Sequence, residues 1–270
     1  MNPFRALLKS AGGQPSLGTW ILSASPIVAE AMGHAGFEWG VIDMEHTPLD
    51  MMGVVHLLQA VGNTRMVPLV RVPWNDAVTV KRVLDAGAST LLVPFVQSAD
   101  EAQCAVAATR YPPAGIRSVV TMSRASRFGT APNYFKNADQ QMGVVVQLET
   151  EAAVLAVDSI AAVDGVDAVF ISPSDLAGSM GHAGQPLHPS VVALVTQAVQ
   201  RCRASGTPIG TLGHTPDQVV HYRAMGFHYI AVSSDLALLM RGATGALQSL
   251  RTPEGETHVH SLTSGTRTTA

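Results

Sequence analysis

Eight times along this chain a short apolar run of β character is followed by a longer amphipathic stretch. That order leaves few folds open. The spacing predicts strands over residues 16–23, 38–43, 66–71, 89–95, 143–149, 167–172, 207–212 and 227–232. Helices are expected over 26–35, 49–61, 77–86, 99–109, 151–162, 189–204, 216–225 and 236–250. Gly36, Gly62, Gly87, Gly206 and Gly226 stand where a helix end wants a residue able to take positive φ. The runs from Val67 to Val70 and from Gly143 to Val146 are apolar on both faces, which suits parallel strands covered by helices. Eight βα units in roughly 250 residues predict an α/β chain folded as a (β/α)8 TIM barrel, with an open doubly wound sheet as the alternative. One domain is expected over residues 1–250. The Thr-, Ser- and Gly-rich stretch 251–270 reads as a flexible tail. The one long connection, Tyr111 to Gln141, carries Arg117, Arg124, Arg127 and Tyr134, and its length suggests a lid or binding loop.

Composition excludes several function classes. Lys+Arg number 17 against Asp+Glu 20, which leaves no electrostatic footprint for a nucleic acid. Cys104 and Cys202 cannot form a disulfide framework, so a reducing, cytoplasmic setting is expected. No apolar stretch is long and unbroken enough for a membrane span, and no secretory leader follows Met1. Charged residues make up only 14% of the chain where about 25% is usual.

A barrel enzyme carries its chemistry at the carboxyl ends of its strands, so the polar residues that interrupt the apolar runs there are informative. The second strand ends in Asp43-Met44-Glu45-His46, the third in Arg71 and the fifth in Gln147-Leu148-Glu149. The sixth ends in Ser172-Pro173-Ser174-Asp175 and the seventh in Leu212-Gly213-His214. All fall at the same end. Gln147 and Glu149 share one face of a strand, and a carboxylate inside a barrel needs a cation. Asp175, one strand over, is the natural second ligand. Two carboxylates without a matching Cys or His cluster favour an oxygen-preferring divalent ion, Mg2+ or Mn2+, with Co2+ also compatible. The competing reading makes Asp175 a helix cap and Glu149 a salt-bridge partner. His46 among strand-end carboxylates can act as a base or be merely structural. Arg71 can stabilise an oxyanion or bridge to Asp43 or Glu149. Spacing alone does not place Asp85.

The remaining histidines weigh less. His34, His56, His221 and His228 lie in or beside helices, and His258 with His260 makes only a weak metal signal in the tail. Glycine-rich nucleotide loops, a Walker lysine and a Gly-x-Ser-x-Gly elbow are all missing from the sequence.

At these motifs the sequence resembles the HpcH/HpaI aldolases, class II pyruvate aldolases of the 4-hydroxy-2-oxoheptane-1,7-dioate aldolase type. The resemblance runs from about residue 5 to 250. It is carried by Gly36 to Trp39, Ile42 to His46, Val70 to Asp76, Arg110 to Ser118, Val146 to Thr150 and Gly165 to Leu176. It implies that Glu149 and Asp175 hold the divalent metal and that Arg71 binds the pyruvate oxygen that becomes the enolate. It further implies that His46, partnered by Asp85, assists proton transfer. Asp43 and Glu45 would support the site, with Gln147 on its substrate side. Trp20 would wall the pyruvate methyl, and Ser174 and Leu212 would offer backbone groups to substrate. Two departures stand out. Met44 occupies a position where a small residue is common, and Ser172-Pro173-Ser174 replaces the usual Gly-Pro-Ala.

The resemblance thus implies reversible aldol cleavage of 4-hydroxy-2-oxoacids to pyruvate and an aldehyde through a metal-stabilised enolate, with no organic cofactor. Lys9, Lys81 and Lys136 are the only lysines and none falls at a strand end, which agrees with metal rather than Schiff-base chemistry. Alternatives are oxaloacetate decarboxylation, cleavage of a CoA thioester of the citrate lyase type, or a non-catalytic ketoacid-binding barrel. The expected partners are small molecules, with neither nucleic acid nor membrane. A homo-oligomer is expected, a hexamer by the resemblance, with the last helix exchanged between subunits. The charge-poor exterior agrees.

Overall fold

In the computed structural model, which describes residues 1–10 and 12–251, eight parallel strands close into a barrel in the order of the chain. The strands are β1 (Ser16–Ile21), β2 (Trp39–Asp43), β3 (Val67–Arg71), β4 (Thr90–Val93), β5 (Gly143–Leu148), β6 (Ala168–Ile171), β7 (Ile209–Gly213) and β8 (Tyr229–Ser234). The helices are α1 (Pro3–Ser10), α2 (Pro26–His34), α3 (Met51–Val61), α4 (Ala77–Asp85), α5 (Ala99–Thr109) and α6 (Tyr134–Gln141). They continue with α7 (Glu151–Leu155), α8 (Val157–Ala161), α9 (Pro173–Ser179), α10 (Pro189–Ser205), α11 (Pro216–Met225) and α12 (Asp235–Arg251). The chain divides into two units after Asp235. The first, Met1–Asp235, is the barrel; α12 is the described part of the second.

All eight expected strands and helical patterns form, with ends shifted by a few residues. The helix expected over 151–162 is two short pieces, α7 and α8. Three short helices, α1, α6 and α9, were not expected. Of the glycines read as helix stops, Gly36, Gly87, Gly206 and Gly226 take positive φ. Gly62 does not: it stays right-handed at φ −61°, continuing the turn of α3.

Strand β5 is buried at every position, as a strand covered on both faces must be. The barrel interior is filled by Trp39, Leu69, Leu92, Val145, Phe170 and Tyr229, and α1 closes the amino-terminal end with Phe4. The Phe4 ring packs edge-on against Tyr229 at 5.3 Å and Trp39 at 6.1 Å. Two glycines make room for these rings. A Cβ at Gly18 would lie 2.2 Å from the Trp39 ring, and one at Gly210 would lie 2.2 Å from that of Tyr229. A second apolar shell lies between strands and helices.

The long connection from Tyr111 to Gln141 is not a lid over this chain's own barrel mouth. It follows α5 and precedes β5, so it returns to the amino-terminal end of the sheet. Gly143 N–H bonds the carbonyl of Ser89, which precedes β4, and Arg124 bonds the carbonyl of Ala86 at 3.1 Å. Within it, Tyr111, Tyr134 and Ala138 form a small core of their own. The expected tail lies outside the described residues beyond Arg251, as do His258 and His260. Among the described residues no helix is long and apolar enough to cross a membrane.

Candidate active site

At the carboxyl end of the barrel lies a pocket of about 200 Å³. Trp20, Asp43, His46 and Arg71 line it from β1 to β3, and Gln147, Ser174, Asp175 and Leu212 line it from β5 to β7. Every one was expected at the site. Leu22, Phe170, Ser233 and Ser234 also line it and were not. Ser172 and His214, read only as strand-end polar residues, complete the wall.

Asp43 and Arg71 end adjacent strands and are register partners. Asp43 is fully buried and receives the guanidinium in a two-point grip, with Nε to Oδ1 at 2.8 Å and Nη2 to Oδ2 at 2.6 Å. Its Oδ1 also accepts the backbone N–H of Glu45 at 3.0 Å. Glu45 meets Nη1 of Arg71 at 2.8 Å. The arginine bridge therefore runs to Asp43 and Glu45. Two of the five guanidinium N–H donors are committed to Asp43, Nη1 is held beside Glu45 by charge alone, and the remaining N–H groups are left for a ligand. Arg71 lies 5.3 Å from the centroid of the Trp20 ring, which adds a cation–π contact. Burial works against the Arg71 cation, but the hydrogen bond and charge of Asp43, with Glu45 and Glu149, outweigh it and raise its pKa.

Glu149 directly follows β5, and Asp175 sits in the first turn of α9. Burial first, then the charges of Glu45 and Asp175, push the Glu149 carboxyl up to about 7 against the pull of Arg71 and of a hydrogen bond from the Phe95 backbone amide. Burial also raises Glu45, against the pull of Arg71 and His46. Asp175 accepts a hydrogen bond from the Ser172 hydroxyl. Four carboxylates, Asp43, Glu45, Glu149 and Asp175, thus face a single guanidinium. The set is short of positive charge and its donors are oxygen atoms, the type a divalent hard cation prefers, but among the described residues no three of them come together as a metal-ligand group. Gln147, buried beside it, has a side-chain oxygen without a hydrogen-bond partner.

His46 is exposed at the rim, with Nε2 3.9 Å from the Glu45 carboxylate. Asp85 is elsewhere. It ends α4, lines a different surface pocket with Arg82 and Arg124, and pairs with the buried Arg117 at 2.7 Å. Within one chain the structure does not bring His46 and Asp85 together.

An eight-stranded parallel barrel with charged side chains gathered at the carboxyl ends of its strands has the architecture of a barrel enzyme. The family model described as HpcH/HpaI aldolase/citrate lyase matches residues 16–242, and the chain belongs to that family. It is a carbon–carbon lyase. The chain is 45% identical over 235 residues to a 2-dehydro-3,6-dideoxy-6-sulfogluconate aldolase of Pseudomonas putida, covering 87% of this chain and 92% of that one. It is 46% identical over 243 residues to a 4-hydroxy-2-oxo-heptane-1,7-dioate aldolase of Salmonella heidelberg, covering 90% and 92%. A solved HpcH/HpaI aldolase/citrate lyase family protein from Burkholderia cenocepacia superposes with a TM-score of 0.90 at 38% identity, covering 93% of this chain and all of that one.

Proposed function

We propose that the chain is a class II pyruvate aldolase that reversibly cleaves a 4-hydroxy-2-oxoacid into pyruvate and an aldehyde. Glu149 and Asp175 would hold a divalent ion, Mg2+ or Mn2+. The observation that carries this reading is the excess of carboxylate over guanidinium at the mouth, with Glu149 pushed up to about 7 when no cation is counted. When bound, such an ion supplies Lewis acidity toward the oxygens of a 2-ketoacid.

The chain's own residues do the rest. Arg71 is held by Asp43 and Glu45, and offers its uncommitted N–H groups to the keto oxygen on which charge develops. That placement favours the enolate over the ground-state ketone, because the guanidinium is already oriented before the charge forms. Trp20 walls the methyl end. Gln147 supplies its unpartnered carbonyl oxygen, and Ser174 and Leu212 offer backbone groups. In the cleavage direction His46, beside Glu45 at the rim, receives the 4-hydroxyl proton as the C3–C4 bond breaks, and returns it in condensation. Asp85 enters this scheme only if a second protomer brings it to His46. A homo-oligomer is further supported by the exposed side chains of Ile116, Val119, Met122 and Phe128 on the long connection, and separately of Leu239, Met240, Leu247 and Leu250 on α12. A hexamer that exchanges α12, working in the cytoplasm, remains part of the proposal.

The test is condensation of pyruvate with a panel of aldehydes, including glycolaldehyde and succinic semialdehyde, with and without added Mg2+ or Mn2+. Metal-dependent formation of a 4-hydroxy-2-oxoacid is expected. Turnover confined to oxaloacetate, or a strict need for a CoA thioester, would move the chain to another reaction of the same family.

A further inference from the structure

Strand β8 carries one residue too many at the pocket. Between matched pairs, β1 advances two residues, from Gly18 to Trp20, while β8 advances three, from Ala231 to Ser234. The surplus is a β-bulge at Val232 and Ser233, and bulges of this kind re-aim a side chain. The bulge is pinned from the neighbouring strand, since the buried Thr19 hydroxyl lies 3.3 Å from the carbonyl oxygens of both Val232 and Ser233. Ser233 takes φ +59° there, a left-handed conformation that favours glycine. A serine in its place is strained. Its side chain is nevertheless present, is 1% exposed, lines the pocket, and leaves its hydroxyl without any hydrogen-bond partner. A buried hydroxyl left unpaired is destabilising. Strain and an unmet hydrogen bond at one pocket residue are both explained if the partner is the ligand.

The pocket around it says what kind of ligand group that is. Of the lining residues Asp43, His46 and Arg71 lie on the β2–β3 side and Asp175 follows β6, while Leu212, His214, Ser233 and Ser234 form the wall from β7 to β8. Among the described residues Arg71 is the only Lys or Arg lining the pocket, and it is already bound by Asp43 and paired with Glu45. A second carboxylate at the β7–β8 wall would meet no Lys or Arg of this chain among the described residues, whereas a neutral hydroxyl can both give and accept a hydrogen bond there.

We infer that Ser233 is a specificity-determining residue whose hydroxyl binds a hydroxyl group of the aldehyde partner, so that the aldehyde class is a neutral hydroxyaldehyde rather than a carboxylated semialdehyde. This rests on the aldolase reading above.

The experiment measures kcat/KM for condensation of pyruvate with glycolaldehyde, with propanal, which has the same number of heavy atoms but no hydroxyl, and with succinic semialdehyde. It compares the wild-type chain with Ser233→Ala and with Ser233→Gly, the latter free of backbone strain. The wild-type enzyme is expected to favour glycolaldehyde over both other aldehydes. Both variants should lower the glycolaldehyde-to-propanal ratio by about tenfold, the loss of one hydrogen bond. An unchanged ratio in Ser233→Gly, or a wild-type preference for succinic semialdehyde, overturns the inference. Exchange of pyruvate methyl protons with solvent by the wild-type enzyme needs no aldehyde and separates the two failures. If exchange persists, only the Ser233 assignment falls; if it is absent, the aldolase reading falls with it.

Discussion

Asp43 and Arg71 are register partners on adjacent parallel strands, and they meet through two hydrogen bonds of 2.8 and 2.6 Å with Asp43 fully buried. The pair fixes the one guanidinium of the pocket before any substrate arrives. Replacing Arg71 by Ala should lower kcat by about 100-fold or more, the range for loss of a preorganised oxyanion donor. Arg71→Lys should not restore it, because an ammonium cannot reproduce the two-point grip. Near-normal cleavage by Arg71→Ala would remove Arg71 from the chemistry. Asp43→Asn, which leaves the guanidinium misheld, should cost about tenfold in kcat with a smaller change in KM.

The carboxylate cluster makes a pH prediction. The Glu149 carboxyl is raised from 4.5 to about 7 in the metal-free chain, so between those values the folded protein holds a proton that the unfolded chain has released. This contribution to the stability of the metal-free fold is present at low pH and is lost as pH rises toward 7. Binding of a cation must expel the same proton. Calorimetry should show affinity for Mg2+ falling by up to about tenfold per unit below pH 7 and levelling off above it. Glu149→Gln should abolish both the steep pH dependence and most of the affinity.

Asp85 is a structural partner before it is anything else within a single chain. Its carboxylate is the ion-pair partner of Arg117, whose side chain is fully buried. Asp85→Ala should therefore destabilise the fold by about 3 kcal/mol in chemical denaturation, since it strands a buried guanidinium. A loss of activity without a loss of stability would show instead that Asp85 acts at a site, by way of a neighbouring protomer.

The exposed apolar residues of the 116–128 segment and of α12 predict self-association. Sedimentation at micromolar concentration should return an oligomer. A monomer would leave those side chains unexplained.

The fold was legible because its strands are buried on both faces and announce themselves as unbroken apolar runs, with helix caps between them. The short helices α1 and α9 were missed although each carries a start signal. Asn2 accepts the N–H groups of Phe4 and Arg5 ahead of Pro3, and Ser172 precedes Pro173. The charged half of the candidate site was legible for a simple reason: Asp43, Arg71, Glu149 and Asp175 interrupt apolar runs at the end where barrel chemistry is expected. The same rule applied to β8 points to Ser233 and Ser234, which were passed over because the strand was read as ending at residue 232. What no pattern could reveal is the bulge that turns Ser233 inward, since it depends on the register of β8 against β1. Asp85 was read at the end of its helix, but its partner was equally hidden, because that partner is Arg117, which lies 32 residues away in sequence.

The central claim is that this mouth generates the enolate of pyruvate with the help of a divalent cation. The measurement that tests it most directly is proton NMR of pyruvate in D2O, following loss of the methyl signal with enzyme and Mg2+, and again after EDTA. Exchange that requires both the enzyme and the ion, and that disappears in Arg71→Ala, is the predicted result. Exchange undiminished by EDTA, or none in the presence of either Mg2+ or Mn2+, would contradict the account.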